Sequence, residues 1–164
     1  MIHVSDIQRL ISTVLTGMGD KFSSSDAVTL VLRTGSVESE YFYQRQLGEG
    51  PARSFWQVEP PTARDILGRY LQREDKGNLK MRVQHILGFQ VQWLLDDLDR
   101  LDMQLQGNDI LGIILCRLKY WPMPHAIPHA RHVDLQAEYW LTHYNAGGRG
   151  SIEHFISAAK KVEN

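Results

Sequence analysis

Ser23-Ser24-Ser25-Asp26 followed by Ala27-Val28-Thr29-Leu30-Val31-Leu32 (residues 23–32) sets the class of this fold. Hydroxyl and carboxylate side chains of the kind that cap a helix N-terminus give way to a run that is apolar on nearly every side. A helix with no polar face belongs at the centre of a helical core. Continued to about Ser39, it carries Val37-Glu38-Ser39 at its C-terminal end. Upstream, Ile7, Leu10, Ile11, Val14 and Leu15 follow the i, i+3, i+4, i+7 spacing of one buried helix face, with Gly17 and Gly19 to end it. Ser5 and Gln8 have capping-box spacing, so that helix is expected to start there.

Downstream, Tyr41 to Pro60 holds Gly48, Gly50 and Pro51 and reads as a long loop with room for a short hairpin. Pro61 suits a first helical turn, and a helix is expected to about Gln72. A longer helical region runs from Leu79 to about Met103, with Gly88 as a bend. Asn108-Asp109 opens the helix that contains Ile113-Ile114-Leu115-Cys116, and Pro122 stops it. Pro122 to Pro128 is an irregular connector. Asp134 is placed to cap a helix running to Tyr144, and Ser151 a last one with Ile152, Phe155, Ile156, Ala159 and Val162 on one side. The chain therefore reads as mostly α: a single domain over residues 1–164, of about seven helices and one long loop.

With 18 basic and 19 acidic residues the formal charge is −1, which argues against strong nucleic-acid binding through a broad basic face and leaves a locally basic groove open. No apolar run approaches the ~18 residues of a membrane span. Asp6, Gln8 and Arg9 interrupt the first apolar stretch, so no signal peptide is expected there. The single cysteine, Cys116, rules out an intrachain disulfide and is expected to pack as a small hydrophobe.

Glu38 is the residue with chemistry in it. An acid at the end of a buried helix loses water, which favours its neutral form. The partial negative charge of the helix C-terminus acts in the same direction. A carboxylic acid still protonated near neutral pH is what a glycosidic leaving oxygen requires.

Three motifs stand in order: Glu38-Ser39, then Ser54-Phe55-Trp56-Gln57-Val58-Glu59-Pro60-Pro61-Thr62-Ala63, then Tyr144-Asn145-Ala146-Gly147. Together they resemble the lytic transglycosylases and their goose-type lysozyme relatives, over roughly residues 26 to 156. That family carries Glu-Ser at the end of a buried helix, a Gly-Leu-Met-Gln-Ile-Met-Pro-x-Thr-Ala segment after a loop, and a late Tyr-Asn-Ala-Gly. The stretch around Gln44-Arg45-Gln46-Leu47-Gly48 before Pro51-Ala52 is similar to phage-encoded members. The resemblance implies a lysozyme-like fold and cleavage of the peptidoglycan glycan strand by one catalytic acid, Glu38, with no cofactor and no metal. Ser39, Gln57, Tyr144 and Asn145 match the substrate-side residues, with Tyr144 expected to reach the Glu38 carboxyl. It further implies a virion-carried or lysis protein, in the phage particle or the host cytoplasm until delivered to the wall. A phage structural or adaptor protein that keeps the fold without turnover is the alternative, with other virion proteins as its partners.

The sequence departs from the family pattern at Ser54, where the family has glycine, at Trp56 and at Glu59. A side chain at 54 narrows the groove or demands an unusual backbone angle. Trp56 is read equally as a sugar platform or as core. Glu40, Glu49 and Glu59 are candidates for a second carboxylate, each more simply a solvated loop acid. Of Tyr41, Phe42 and Tyr43, Phe42 is expected to fold the loop onto the helices, and the tyrosines are left open. His125, His129 and His132 lack a completing carboxylate or cysteine, and Pro128 divides them, so they are read as connector residues rather than metal ligands.

Overall fold

The computed structural model describes residues 3–163, and the ends of the single-domain reading, residues 1, 2 and 164, lie outside them. Nine α-helices occur among the described residues: α1 Val4–Met18, α2 Ser25–Ser39, α3 Pro60–Asp65, α4 Gly77–Leu87, α5 Val91–Leu95, α6 Leu98–Gly107, α7 Asp109–Tyr120, α8 Val133–His143 and α9 Ile152–Lys160. None is long and apolar enough to cross a membrane.

Helix α2 is the axis of the fold. From Ala27 to Ser39 only Thr29 and Glu38 escape full burial. It packs against α1, α7 and α9. The polar groups it buries are all engaged. Thr34 Oγ1 donates to the Leu30 carbonyl and lies 2.8 Å from Tyr120 Oη; Ser36 Oγ donates to the Ala158 carbonyl at 2.8 Å. Buried hydroxyls without such partners would each cost roughly 1–3 kcal/mol. Cys116 is buried in α7 among apolar neighbours, as its surroundings in the sequence imply.

Arg33 ties the far end of this core together. It is 5% exposed. Its Nη1 donates to the Ala130 carbonyl and to Gln136 Oε1, each at 2.8 Å, and its remaining nitrogens bind the Glu163 carboxylate. The Ala130 amide donates to Asp26 Oδ1 at 2.7 Å, and Gln136 Nε2 to the Pro128 carbonyl at 2.9 Å. The proline-rich connector before α8 is thereby fixed to α2, and its histidines are exposed on it.

The region expected as one helix from Leu79 to Met103 is three, which raises the count from seven to nine. Gly88, at φ 79°, ends α4 in the left-handed region that glycine enters without a Cβ penalty. Gln84 Oε1 then accepts the Val91 amide, and the Asp97 side chain caps α6. Two cap assignments also change. Helix α1 starts at Val4 and α8 at Val133, after His3 and His132, and neither has a side-chain cap, so Ser5 and Asp134 lie inside their helices. Ser24, Asn108 and Ser151 do cap α2, α7 and α9, each accepting the amide three residues on. The expected hairpin is reduced to single antiparallel bridges, Arg45 with Arg53 and Arg53 with Val58.

Candidate active site

The loop between α2 and α3 is short of regular structure yet firmly held. Tyr41 turns back over α2, its Oη donating to the Leu32 carbonyl at 2.7 Å. Gln44 Nε2 reaches Asp109 on α7, and Arg53 pairs with Asp102 on α6 at 2.9 Å. Trp56 is fully buried, with its indole N–H donating to the Val31 carbonyl at 2.9 Å. Of the two readings open for Trp56, core is the one realised. The expectation for Phe42 is reversed: it is 81% exposed, because Tyr41 takes the inward place against Phe55 and Trp56.

Every non-glycine residue with positive φ among the described residues lies in or beside this loop: Glu40 (53°), Tyr41 (54°), Glu49 (62°), Ser54 (66°) and Gln57 (47°). Left-handed backbone costs an ordinary L-residue roughly 1–2 kcal/mol. Ser54 confirms the backbone demand that its departure from glycine raises, and its hydroxyl accepts the Trp56 amide in return. The room for it comes from Gly112 on α7, where an added Cβ would lie 2.8 Å from the Trp56 ring and 3.1 Å from Ser54 Cβ. Gly112→Ala is therefore expected to destabilise the protein by roughly 1–3 kcal/mol through overpacking. Chemical denaturation measures this, and a loss below ~0.5 kcal/mol would show that the loop is not seated as described.

This loop, the C-terminal ends of α2 and α7, and the turn after α8 enclose a cleft of about 880 Å³. Glu38, Gln57, Tyr144 and Asn145 all line it, so four of the five residues singled out in the sequence meet in one place. Ser39 does not. It is buried, donates to the Gly35 carbonyl and accepts the Tyr41 amide, and so serves the end of α2 rather than the cleft.

Glu38 is partly buried, and its carboxyl is raised to about 7. Loss of water is the main cause, opposed in part by a hydrogen bond from Trp140 and by the charge of Lys119. The expected partner was Tyr144, but its hydroxyl donates to the Trp56 carbonyl at 2.6 Å and so locks the loop to α8. Trp140, one helical turn earlier on α8, supplies the donor instead, its Nε1 lying 2.9 Å from Glu38 Oε1. The i, i+4 relation of Trp140 to Tyr144 was the sequence signal for it. Gln57 Nε2 donates to the Ser54 carbonyl at 2.8 Å, and the backbone N–H of Asn145 to the Trp140 carbonyl at 3.0 Å. Lys119 was also missed; a lysine inside the apolar run of α7 was the signal.

Of the other acids, Glu59 lines the cleft and is exposed. Glu40 pairs with Lys161 at 2.9 Å, and Glu49 is exposed on the loop. Chemically, the arrangement holds one proton near neutral pH on a fixed carboxyl, in a cleft with amide groups on its walls. That suits general acid and base catalysis on an uncharged leaving group. Comparison of the chain with family models, curated proteins and solved structures finds no match.

Proposed function

We propose that the chain cleaves the glycan strand of peptidoglycan, with Glu38 as the single group that gives a proton and takes one back. The observation that carries this reading is the Glu38 carboxyl itself: protonated up to about pH 7, held by Trp140, and open to a cleft lined by Gln57, Tyr144 and Asn145. The cleft volume lies within the range of small-ligand sites. The strained backbone around it is of the kind that accumulates at sites with work to do.

In the proposed reaction Glu38 protonates the glycosidic oxygen while the bond from that oxygen to the muramyl C1 breaks, the electron pair leaving with the oxygen. The Glu38 carboxylate then removes the proton of the muramyl 6-hydroxyl as its oxygen bonds to C1. No water is consumed, and Glu38 ends protonated again. The amides of Gln57 and Asn145 are available to hold the acetamido sugars. The phage-encoded relatives implied by the motifs give the proposed setting, a virion-carried or lysis protein that is delivered to the wall.

Products test this. Mass spectrometry of digested peptidoglycan is expected to show 1,6-anhydromuramyl ends. Reducing ends alone would mean that water attacks C1, and would direct attention to Glu59 as the second carboxylate in the cleft.

A further inference from the structure

Lys119 stands on the wall of the same cleft. Its Nζ donates to the Tyr144 carbonyl at 2.8 Å and sits 3.7 Å from the centre of the Tyr144 ring. Two contacts with one residue, Tyr144, thus hold the ammonium where α7 meets the end of α8. It is partly buried, yet among the described residues it forms no ion pair. Taking an ammonium out of water without a counter-charge is costly, and loss of water lowers the Lys119 pKa; a negative charge formed in the cleft would offset that cost.

We propose that Lys119 is a positioning residue for the reaction, held by Tyr144 so that its charge stabilises the carboxylate that Glu38 becomes on giving up its proton. This rests on the reading of Glu38 as the acid. The other charged and titratable groups around the cleft do not supply that charge. Arg149 is exposed, so water and salt screen it, and the same holds for the carboxylate of Glu59. His143 and Tyr43 line the cleft, but the groups that act on the Glu38 carboxyl are Trp140 and Lys119. Cys116, Tyr120 and Tyr144 are buried, and loss of water keeps each of them neutral near pH 7. Among the described residues, Lys119 is left as the one partly buried lysine or arginine of the cleft wall. The coupling runs both ways: Lys119 opposes the rise that loss of water imposes on Glu38, and Glu38 opposes the fall that loss of water imposes on Lys119.

Carboxyl-carbon NMR of glutamate-labelled protein follows Glu38 directly, whether or not the protein is active. In Lys119→Met the Glu38 midpoint is expected to rise by roughly 0.5–1 pH unit, and in Lys119→Arg to stay near wild type. Lys119→Gln removes the charge and keeps a donor for the Tyr144 carbonyl. It should reproduce the methionine shift. If the Lys119 variants fail to fold, the Lys119 ammonium can be titrated in Glu38→Gln, where its midpoint should fall by a similar amount. On peptidoglycan, Lys119→Met is expected to lower kcat roughly three- to tenfold and to move the alkaline limb of its pH profile upward by the same interval. A Glu38 midpoint that moves by less than ~0.2 unit in the neutral variants, or an unchanged Lys119 midpoint in Glu38→Gln, overturns the role of Lys119. Neither result bears on Glu38 as the acid. Full lysis by Glu38→Gln overturns that reading and, with it, the role of Lys119.

Discussion

Glu38→Gln is expected to be more stable than the wild-type protein at pH 8 and equal to it at pH 4. The carboxyl rises from its ordinary 4.5 to about 7 on folding. Below pH 4.5 both the folded and the unfolded chain carry the proton, and the residue has no pH-dependent cost. Between 4.5 and 7 the unfolded chain releases the proton and the folded chain keeps it, so wild-type stability falls as pH rises. Above 7 the full cost of a desolvated carboxylate is present, roughly 3 kcal/mol for a shift of this size. Glutamine has no charge to desolvate, and its amide oxygen can still accept the Trp140 indole N–H. Thermal unfolding of both proteins across this range should give curves that meet in acid and separate through neutrality, by several degrees at pH 8. Parallel curves would mean that Glu38 titrates as an ordinary exposed glutamate. On the proposed reading, a catalytic acid that weakens the fold at the pH where it works exchanges stability for activity.

Arg33→Ala is expected to cost about 3 kcal/mol or more. The substitution leaves the Ala130 carbonyl and Gln136 Oε1 without the donor each now has, inside the protein. It also removes the aliphatic stem that fills the space between α2 and α8. Glu163 contributes less to this figure, because its side chain is 43% exposed and water can replace the arginine. Glu163→Gln should therefore change stability by under ~1 kcal/mol. Arg33→Lys should recover only part of the loss, since one ammonium cannot reach three acceptors spread around a planar guanidinium. Urea denaturation of the three variants distinguishes these cases. A small effect of Arg33→Ala would show that the connector before α8 is held by its apolar contacts alone.

Much of the architecture was legible because it follows from period and cap chemistry. The all-round apolar run of α2 fixed its central place, and Ser24, Asn108 and Ser151 marked real helix starts. The division of residues 79–103 was legible only at Gly88, expected as a bend, because the apolar spacing continues across it. The breaks are made by a left-handed Gly88, the Gln84 side chain on the Val91 amide and the Asp97 cap, all local chemistry beneath the period. The site was legible as a set of residues and less so as a set of contacts. Glu38, Gln57, Tyr144 and Asn145 converge, but which side chain donates to Glu38 depends on the rotation of α8: the i, i+4 spacing puts Trp140 and Tyr144 on one face without choosing between them. The exchange of Tyr41 and Phe42 has a similar origin. Positive φ at Glu40 and Tyr41 turns the chain, so the inward residue is not the one an extended loop would present. Ser39 matched a motif by position, while its hydroxyl is spent on the backbone of its own helix and the loop that follows.

If one carboxyl, Glu38, carries the proposed cleavage, the glutamine variant must lose it. Purified wild-type protein and Glu38→Gln are run side by side in a gel containing peptidoglycan and, at matched concentration, on a suspension of cell walls. The account predicts clearing by the wild type that weakens as pH rises through about 7. It predicts a loss of roughly 10²–10⁴-fold in the variant, the usual contribution of a positioned acid and base. Equal clearing by the two proteins would contradict it. No clearing by a folded wild type would contradict it as well, and would favour a virion structural part over an enzyme.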